Sequence, residues 1–124
     1  MSEADIEHDE EIEERIEMKI IVDAYGEQER AMGWYYYMAD NLTFPFKAKC
    51  IKVVSTSPLS VDEAVEILGM DDAENCEHDM FVKIKWRSKE FCVPIKQLEG
   101  INVDDETWQV LNDWAYWIAQ GYCF

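Results

Sequence analysis

The sequence predicts an α+β fold: a small bent antiparallel sheet or SH3-like barrel, flanked by N-terminal helices and a C-terminal helix. Three observations carry that prediction. Isoleucine recurs at Ile12, Ile16 and Ile20, the i, i+4, i+8 row of one helix face. From Phe46 to Ile95 short apolar segments alternate with turn residues, as consecutive hairpin strands require. After Asp104 the apolar positions return to helical spacing.

The first helix begins at about Asp9. Ile16, Met18, Ile20 and Val22 also alternate, which leaves a strand open for its second half. Gly26 breaks the pattern, and a second helix runs from about Glu27 to Asn41, with Glu27 and Glu29 in the first turn where carboxylates suit the positive helix end. Tyr35, Met38 and Leu42 share one of its faces by spacing, and Trp34 pairs with Tyr37. Tyr35, Tyr36 and Tyr37 cannot all point one way, so at least one ring is partly exposed or packed on another element. Pro45 disfavours helix at Phe44 and ends the element.

Ala48, Cys50, Ile51, Val53 and Val54 mark the first strand, and Ser55–Ser60 is a polar turn. Ala64–Met70 is the second strand, with Gly69 near its end, and Asp71–Asp79 is an acidic loop. Met80–Trp86 and Glu90–Ile95 flank a turn at Arg87, Ser88 and Lys89, with Pro94 expected at an edge or strand end. Asp104 is the expected N-cap of the last helix. One stripe of that helix holds Trp108, Leu111, Ala115 and Ile118, and an adjacent one Val110, Trp114 and Trp117. All five tryptophans are expected in the core, and Gly121 near the helix end. The organisation is an acidic mobile tail over 1–8 and a single domain over 9–124.

The chain has 124 residues and a net charge of −16, from 27 acids and 11 bases. Residues 3–17 carry half of that charge. Sixteen aromatic residues and 48% hydrophobic content argue against a disordered acidic chain. So acidic a surface disfavours nucleic-acid backbones and anionic membranes as partners. It favours cations and basic proteins. The acidic N-terminus lacks the apolar segment of a secretory signal, so a cytoplasmic location is expected. For Cys50, Cys76, Cys92 and Cys123 that compartment makes inert thiols the ordinary reading.

Catalytic signatures are missing: there is no phosphate-binding glycine loop, dinucleotide fingerprint or HExxH helix. A non-enzyme is therefore expected. Cys76 and His78, with Cys92, offer soft ligands, but a closed zinc site needs about four. Carboxylates are the abundant groups, and Ca2+ takes about 6–8 oxygen ligands. The EF-hand loop pattern is absent, so a calcium site here is of another kind.

Three acidic groups stand out: Asp23, Glu27 and Glu29; Asp71, Asp72, Glu74, Glu77 and Asp79; and Asp104, Asp105 and Glu106. Asp40 and Asn41 add oxygens at the end of the second helix. Taken one at a time, helix-start preference and solvation account for them. The case for a cation rests on the whole balance. The candidate metal ligands are Asp23, Glu27, Glu29, Asp40, Asp71, Asp72, Glu74, Glu77 and Asp79.

Three segments carry a family likeness: Arg15–Tyr25, Glu29–Tyr37 and Phe44–Cys50. Cys76–Val82, Asp113–Trp117 and Gly121-Tyr122 add to it. From about residue 12 to its end the chain resembles the cyanobacterial calcium-binding protein family, CcbP-like. The resemblance implies a small acidic cytoplasmic protein that binds Ca2+ without EF-hands and buffers or regulates free calcium. In cyanobacteria the family is linked with heterocyst differentiation. Asp23, Asp40, Glu77 and Asp79 fall inside or beside the matching segments and are preferred among the acids. The competing expectation is an acidic interaction module for a basic protein partner.

Overall fold

The first helix starts where its cap stands. Asp9 is extended, and its Oδ1 accepts hydrogen bonds from Glu11 N (3.0 Å) and Ile12 N (3.2 Å), satisfying two otherwise unpaired amides of the first turn. In the computed structural model, which describes residues 9–22, 24–55 and 57–122, α1 spans Glu10–Arg15 and continues as a π-helical turn over Ile16–Ile20. The expected tail over residues 1–8 lies outside the described residues. Four residues overshoot one α-helical turn by about 40°. A π turn is wider and winds that drift back. Ile12, Ile16 and Ile20 all stay buried as a result, and the strand alternative does not form.

The second helix, α2, is Glu27–Asn41, as its spacing predicts. Glu29 Oε1 accepts from Tyr25 N at 2.8 Å, across the extended Gly26 cap. Ala31, Trp34 and Met38 are buried. Tyr36 is the exposed ring of the tyrosine run, while Tyr35 and Tyr37 are half-buried. A Cβ on Gly33 would overlap the Ile20 carbonyl oxygen. Glycine there lets α2 lie directly on the end of the π turn. The Phe44–Pro45 peptide after the helix is cis.

Five antiparallel strands follow: β1 Phe46–Cys50, β2 Ala64–Met70, β3 Phe81–Trp86, β4 Lys89–Pro94 and β5 Leu98–Ile101. Their order is β4-β3-β2-β1-β5. The sheet is open with β4 and β5 at its edges, so the bent-sheet form of the prediction holds and the barrel does not close. A register shift between Ile67 and Gly69 marks a bulge that bends β2. Ala48, Val65, Ile67, Val82, Ile84 and Val93 are buried on the inner face. Across the outer face Glu90 opposes Lys85, Lys85 opposes Glu66, and Glu66 opposes Lys47. Opposite charges in direct register stabilise a sheet, and this row balances its lysines locally. Arg87 and Ser88 turn β3 into β4 with φ of 49° and 67°, the left-handed pair that matches strand twist. Pro94 closes β4, an edge strand.

Two strand expectations need correction. The first strand ends at Cys50, and Ile51 and Val53 are exposed. Its two neighbours run out there: Lys49 is paired with Ala64, the first residue of β2, and Cys50 with Leu98, the first of β5. Strand β5 itself was not expected. It is an edge strand, and the four residues Leu98-Glu99-Gly100-Ile101 are too few to show an alternation.

The last helix, α3, is Asp105–Ala119, with Asp104 Oδ1 accepting from Thr107 N at 2.7 Å as the expected cap. Hydrogen bonds from the Thr107 backbone, then from the Thr107 and Thr43 side chains, hold the Asp104 carboxyl below its usual range. Val110, Trp114 and Trp117 form the buried stripe. The Trp108, Leu111, Ala115 and Ile118 stripe does not, and Trp108 is 59% exposed, so not every tryptophan joins the core. Trp34 decides between the stripes. It sits in the seam between α2 and α3, with ring centroids 5.0 Å from Trp114 and 5.5 Å from Trp117. Gly121, φ 81°, terminates the helix.

One polar cluster crosses this apolar seam. Arg15 Nε and Nη2 donate to the two oxygens of Asp113 at 2.8 and 2.7 Å, and Tyr37 Oη donates to Oδ2 at 2.9 Å. Asp113 is fully buried, and this fork ties α1, α2 and α3 together.

Candidate metal centre

The densest group of candidate ligands lies on the connection from β2 to β3. Asp71 leaves β2 with its N–H on Phe81 O at 3.1 Å. Its Oδ1 accepts from Asp72 N (2.7 Å) and Asn75 Nδ2 (3.3 Å), an arrangement that curls the chain into the 3-10 turn Ala73–Cys76. Tyr35 Oη, from the middle of α2, donates to the Asp71 carbonyl at 2.7 Å. Cys76 is buried, and its Sγ accepts from Phe81 N at 3.4 Å. At the far end, Asp79 Oδ1 accepts from Met80 N (2.8 Å) and Oδ2 faces Lys96 Nζ at 3.1 Å. Both ends of the loop are thus fastened. Asp72 and Glu74 between them are exposed, and Glu77 is half-buried.

The loop acids act on their neighbours in one direction. Burial pushes the Cys76 thiol up, and the charges of Asp71, Asp79 and Asp72 push it further, with a bond from Phe81 opposing. Burial, then hydrogen bonding and charge from Asp71, carry the Cys92 thiol up to about 11, against a smaller opposing effect of Lys83. The Tyr35 hydroxyl is raised by burial first and then by Cys76, Asp72, Tyr36 and Asp71. The carboxylates therefore contribute a negative potential at this end of the sheet, which favours a cation. Thiols that keep their protons are poor zinc ligands.

The remaining expected ligands are elsewhere. Asp23 lies outside the described residues. Glu27 and Asp40 stand near opposite ends of α2, about 20 Å apart along the helix axis. Glu29 is engaged with the Tyr25 amide. Asp104 caps α3. Among the described residues, no three His, Cys, Asp or Glu side chains converge to hold a metal ion. The loop donors, Asp71, Asp72, Glu74, Glu77 and Asp79, fit a hard cation in kind, since all are oxygens on one short segment. Their spacing requires the loop to draw together, with carbonyl groups and water to complete a shell.

Three residues have roles that no sequence motif marks, two at this loop and one in the helix seam. Tyr35 was read only as a ring, and its hydroxyl holds the loop. Lys96 had no local signal. Asp113, within α3, has no local signal that marks it as the buried partner of Arg15. Among the described residues no helix is long and apolar enough to cross a membrane.

Comparison with known proteins gives a consistent result. A protein-family model for CcbP, described as "Calcium binding", matches residues 14–118. The crystal structure of Anabaena CcbP is similar at 43% sequence identity, with a TM-score of 0.86, over 97% of this chain and 98% of that one. A calcium binding protein in the calcium-binding form is similar at 40% identity, with a TM-score of 0.85, over 100% of both chains. Comparison with curated proteins gave no match.

Proposed function

This chain belongs to the CcbP calcium-binding family, and from that membership we propose that it binds Ca2+ without an EF-hand and buffers or regulates free cytoplasmic Ca2+. The single observation that carries the reading is the Asp71–Asp79 loop. It concentrates five carboxylates between two fastened ends, while Lys47 and Lys85 are paired with acids on the outer face of the sheet. The proposed ligands are Asp71, Asp72, Glu74, Glu77 and Asp79. When bound, Ca2+ supplies the positive charge that cancels repulsion among them. The chain's own part is positional. Tyr35 and Phe81 hold the start of the loop, Met80 N holds Asp79, and Cys76 fills the core beneath. The exposed middle of the loop is then free to fold inward over a fixed base.

Calorimetric titration with CaCl2 at physiological salt, alongside thermal unfolding, tests the proposal. A saturable heat and a rise in melting temperature are expected. At about one hundred times the dissociation constant, a single site adds about 2.7 kcal/mol of stability. No saturable heat and no rise at millimolar Ca2+ would sink the reading. An equal response to Mg2+ would reduce it to counterion screening. Salt-sensitive capture of a basic protein, indifferent to a chelator, would favour an acidic interaction module instead.

A further inference from the structure

The stripe of α3 that the core does not take has the composition of a covered one. Trp108, Leu111, Ala115 and Ile118 follow helical spacing. Yet Trp108 is 59% exposed, Ala115 is exposed, and Leu111 and Ile118 are half-buried. Ile51, 46% exposed, and Leu98 form the facing wall. Between wall and helix runs a groove of two adjoining cavities, about 290 and 200 Å3, which share Ile51, Leu98, Leu111 and Ala115. Its two ends carry opposite charge. Lys52 and Lys96 line it beside Ala119, at the C-terminal end of α3. Asp105 and Glu106 stand in the first turn of α3, Asp105 one helical turn before Trp108.

We infer that this groove is the contact surface of a symmetric dimer, in which two copies of the chain lay their α3 helices antiparallel. A two-fold axis presents the same patch twice, in opposite directions. Trp108 and Ile118 stand five positions either side of Asp113, and Leu111 and Ala115 stand two. An axis level with Asp113 therefore sets Trp108 of each copy against Ile118 of the other, and Leu111 against Ala115. In both pairs a larger side chain meets a smaller one. The same axis brings the Asp105 end of each copy to the Lys52 end of the other, and it opposes the two helix dipoles favourably. A purely basic partner would complement only the acidic end of the groove, whereas the chain's own patch complements both. The charge of −16 on each copy resists approach. Salt relieves that resistance, since the screening length falls from about 10 Å at 0.1 M to about 3 Å at 1 M. The dimer is thus weak and promoted by salt.

The test is sedimentation of the full chain over a wide range of concentration, at about 0.1 M and about 1 M NaCl. EDTA is present throughout, so the outcome is independent of calcium binding. A reversible monomer–dimer equilibrium, tighter at high salt, is expected. Trp108→Ser should weaken it about tenfold or more, as loss of a central aromatic anchor does. Tyr36→Ser, at an exposed ring on α2, should leave it unchanged. Lys52→Glu and Asp105→Lys should each weaken the dimer, and the double variant should recover it, because both swapped charges meet again across the axis. Melting temperatures confirm that each variant is folded. A chain monomeric at every concentration and salt, a dimer that survives Trp108→Ser, or a double variant without recovery would overturn the inference. So would a monomer that binds a leucine–lysine amphipathic peptide through Trp108, which would assign the groove to a basic helical partner.

Discussion

Replacing Arg15 by Met tests the polar fork between the helices. The variant leaves the Asp113 carboxylate, 0% exposed, with the Tyr37 hydroxyl as its remaining side-chain hydrogen bond among the described residues. Removing one partner of a buried pair costs about 3–5 kcal/mol. For 124 residues the unfolding entropy converts 1 kcal/mol into about 4 °C, so the melting temperature should fall by about 12–20 °C. The opposite change, Asp113→Leu, strands Arg15 instead. Its side chain is 21% exposed and can carry the guanidinium to water, so a smaller loss of about 1–3 kcal/mol is expected. The double variant removes both charges and should return to within about 1 kcal/mol of the parent. Urea unfolding of all four proteins closes the cycle. A loss under about 1 kcal/mol in Arg15→Met, or a double variant as unstable as the sum of the singles, would refute the claim that this pair is desolvated and coupled.

Three further outcomes follow from the packing and the loop electrostatics. Gly33→Ala should cost about 1–3 kcal/mol, because its Cβ meets the Ile20 carbonyl and either the π turn or α2 must shift; a neutral result in chemical denaturation would show that the two do not pack so closely. Trp34→Ala should lose about 3–5 kcal/mol and much of the near-ultraviolet circular dichroism, whereas Trp108→Ser should stay within about 0.5 kcal/mol; comparable losses would contradict the assignment of the buried stripe. Alkylation of Cys92, followed by peptide mapping across pH, should remain slow near neutrality and rise towards about 11, since a raised thiol value delays the thiolate to higher pH. Rapid labelling at pH 8 would contradict the raised thiol value.

Much of the helical structure was legible locally. Asp9 and Asp104 announce their helices because a carboxylate cap acts on amides two or three residues away. Gly26 and Pro45 bracket α2 for similarly local reasons. The strand β5 and the end of β1 were not legible, because a strand lasts only as long as its neighbours pair with it. The two apolar stripes of α3 were equally good by composition, and Trp34 on α2 selected one. The acids of the candidate site were visible as a run from Asp71 to Asp79. The groups that hold the run, Tyr35 36 residues from Asp71 and Lys96 in the turn between β4 and β5, carry no motif of their own.

The sequence by itself determined the class of elements, the cap of the last helix, the acidic loop and the net negative charge that attracts cations. These depend on residue type, near-neighbour spacing and net charge, all properties of the chain before it folds. Only the tertiary structure decided that the sheet stays open, that Trp108 faces out, that Arg15 meets Asp113 and that Lys96 meets Asp79. Each of those outcomes depends on groups distant in the chain arriving within a few ångströms of one another. Burial then makes such meetings matter, since a carboxylate removed from water must find a partner and one left in water need not.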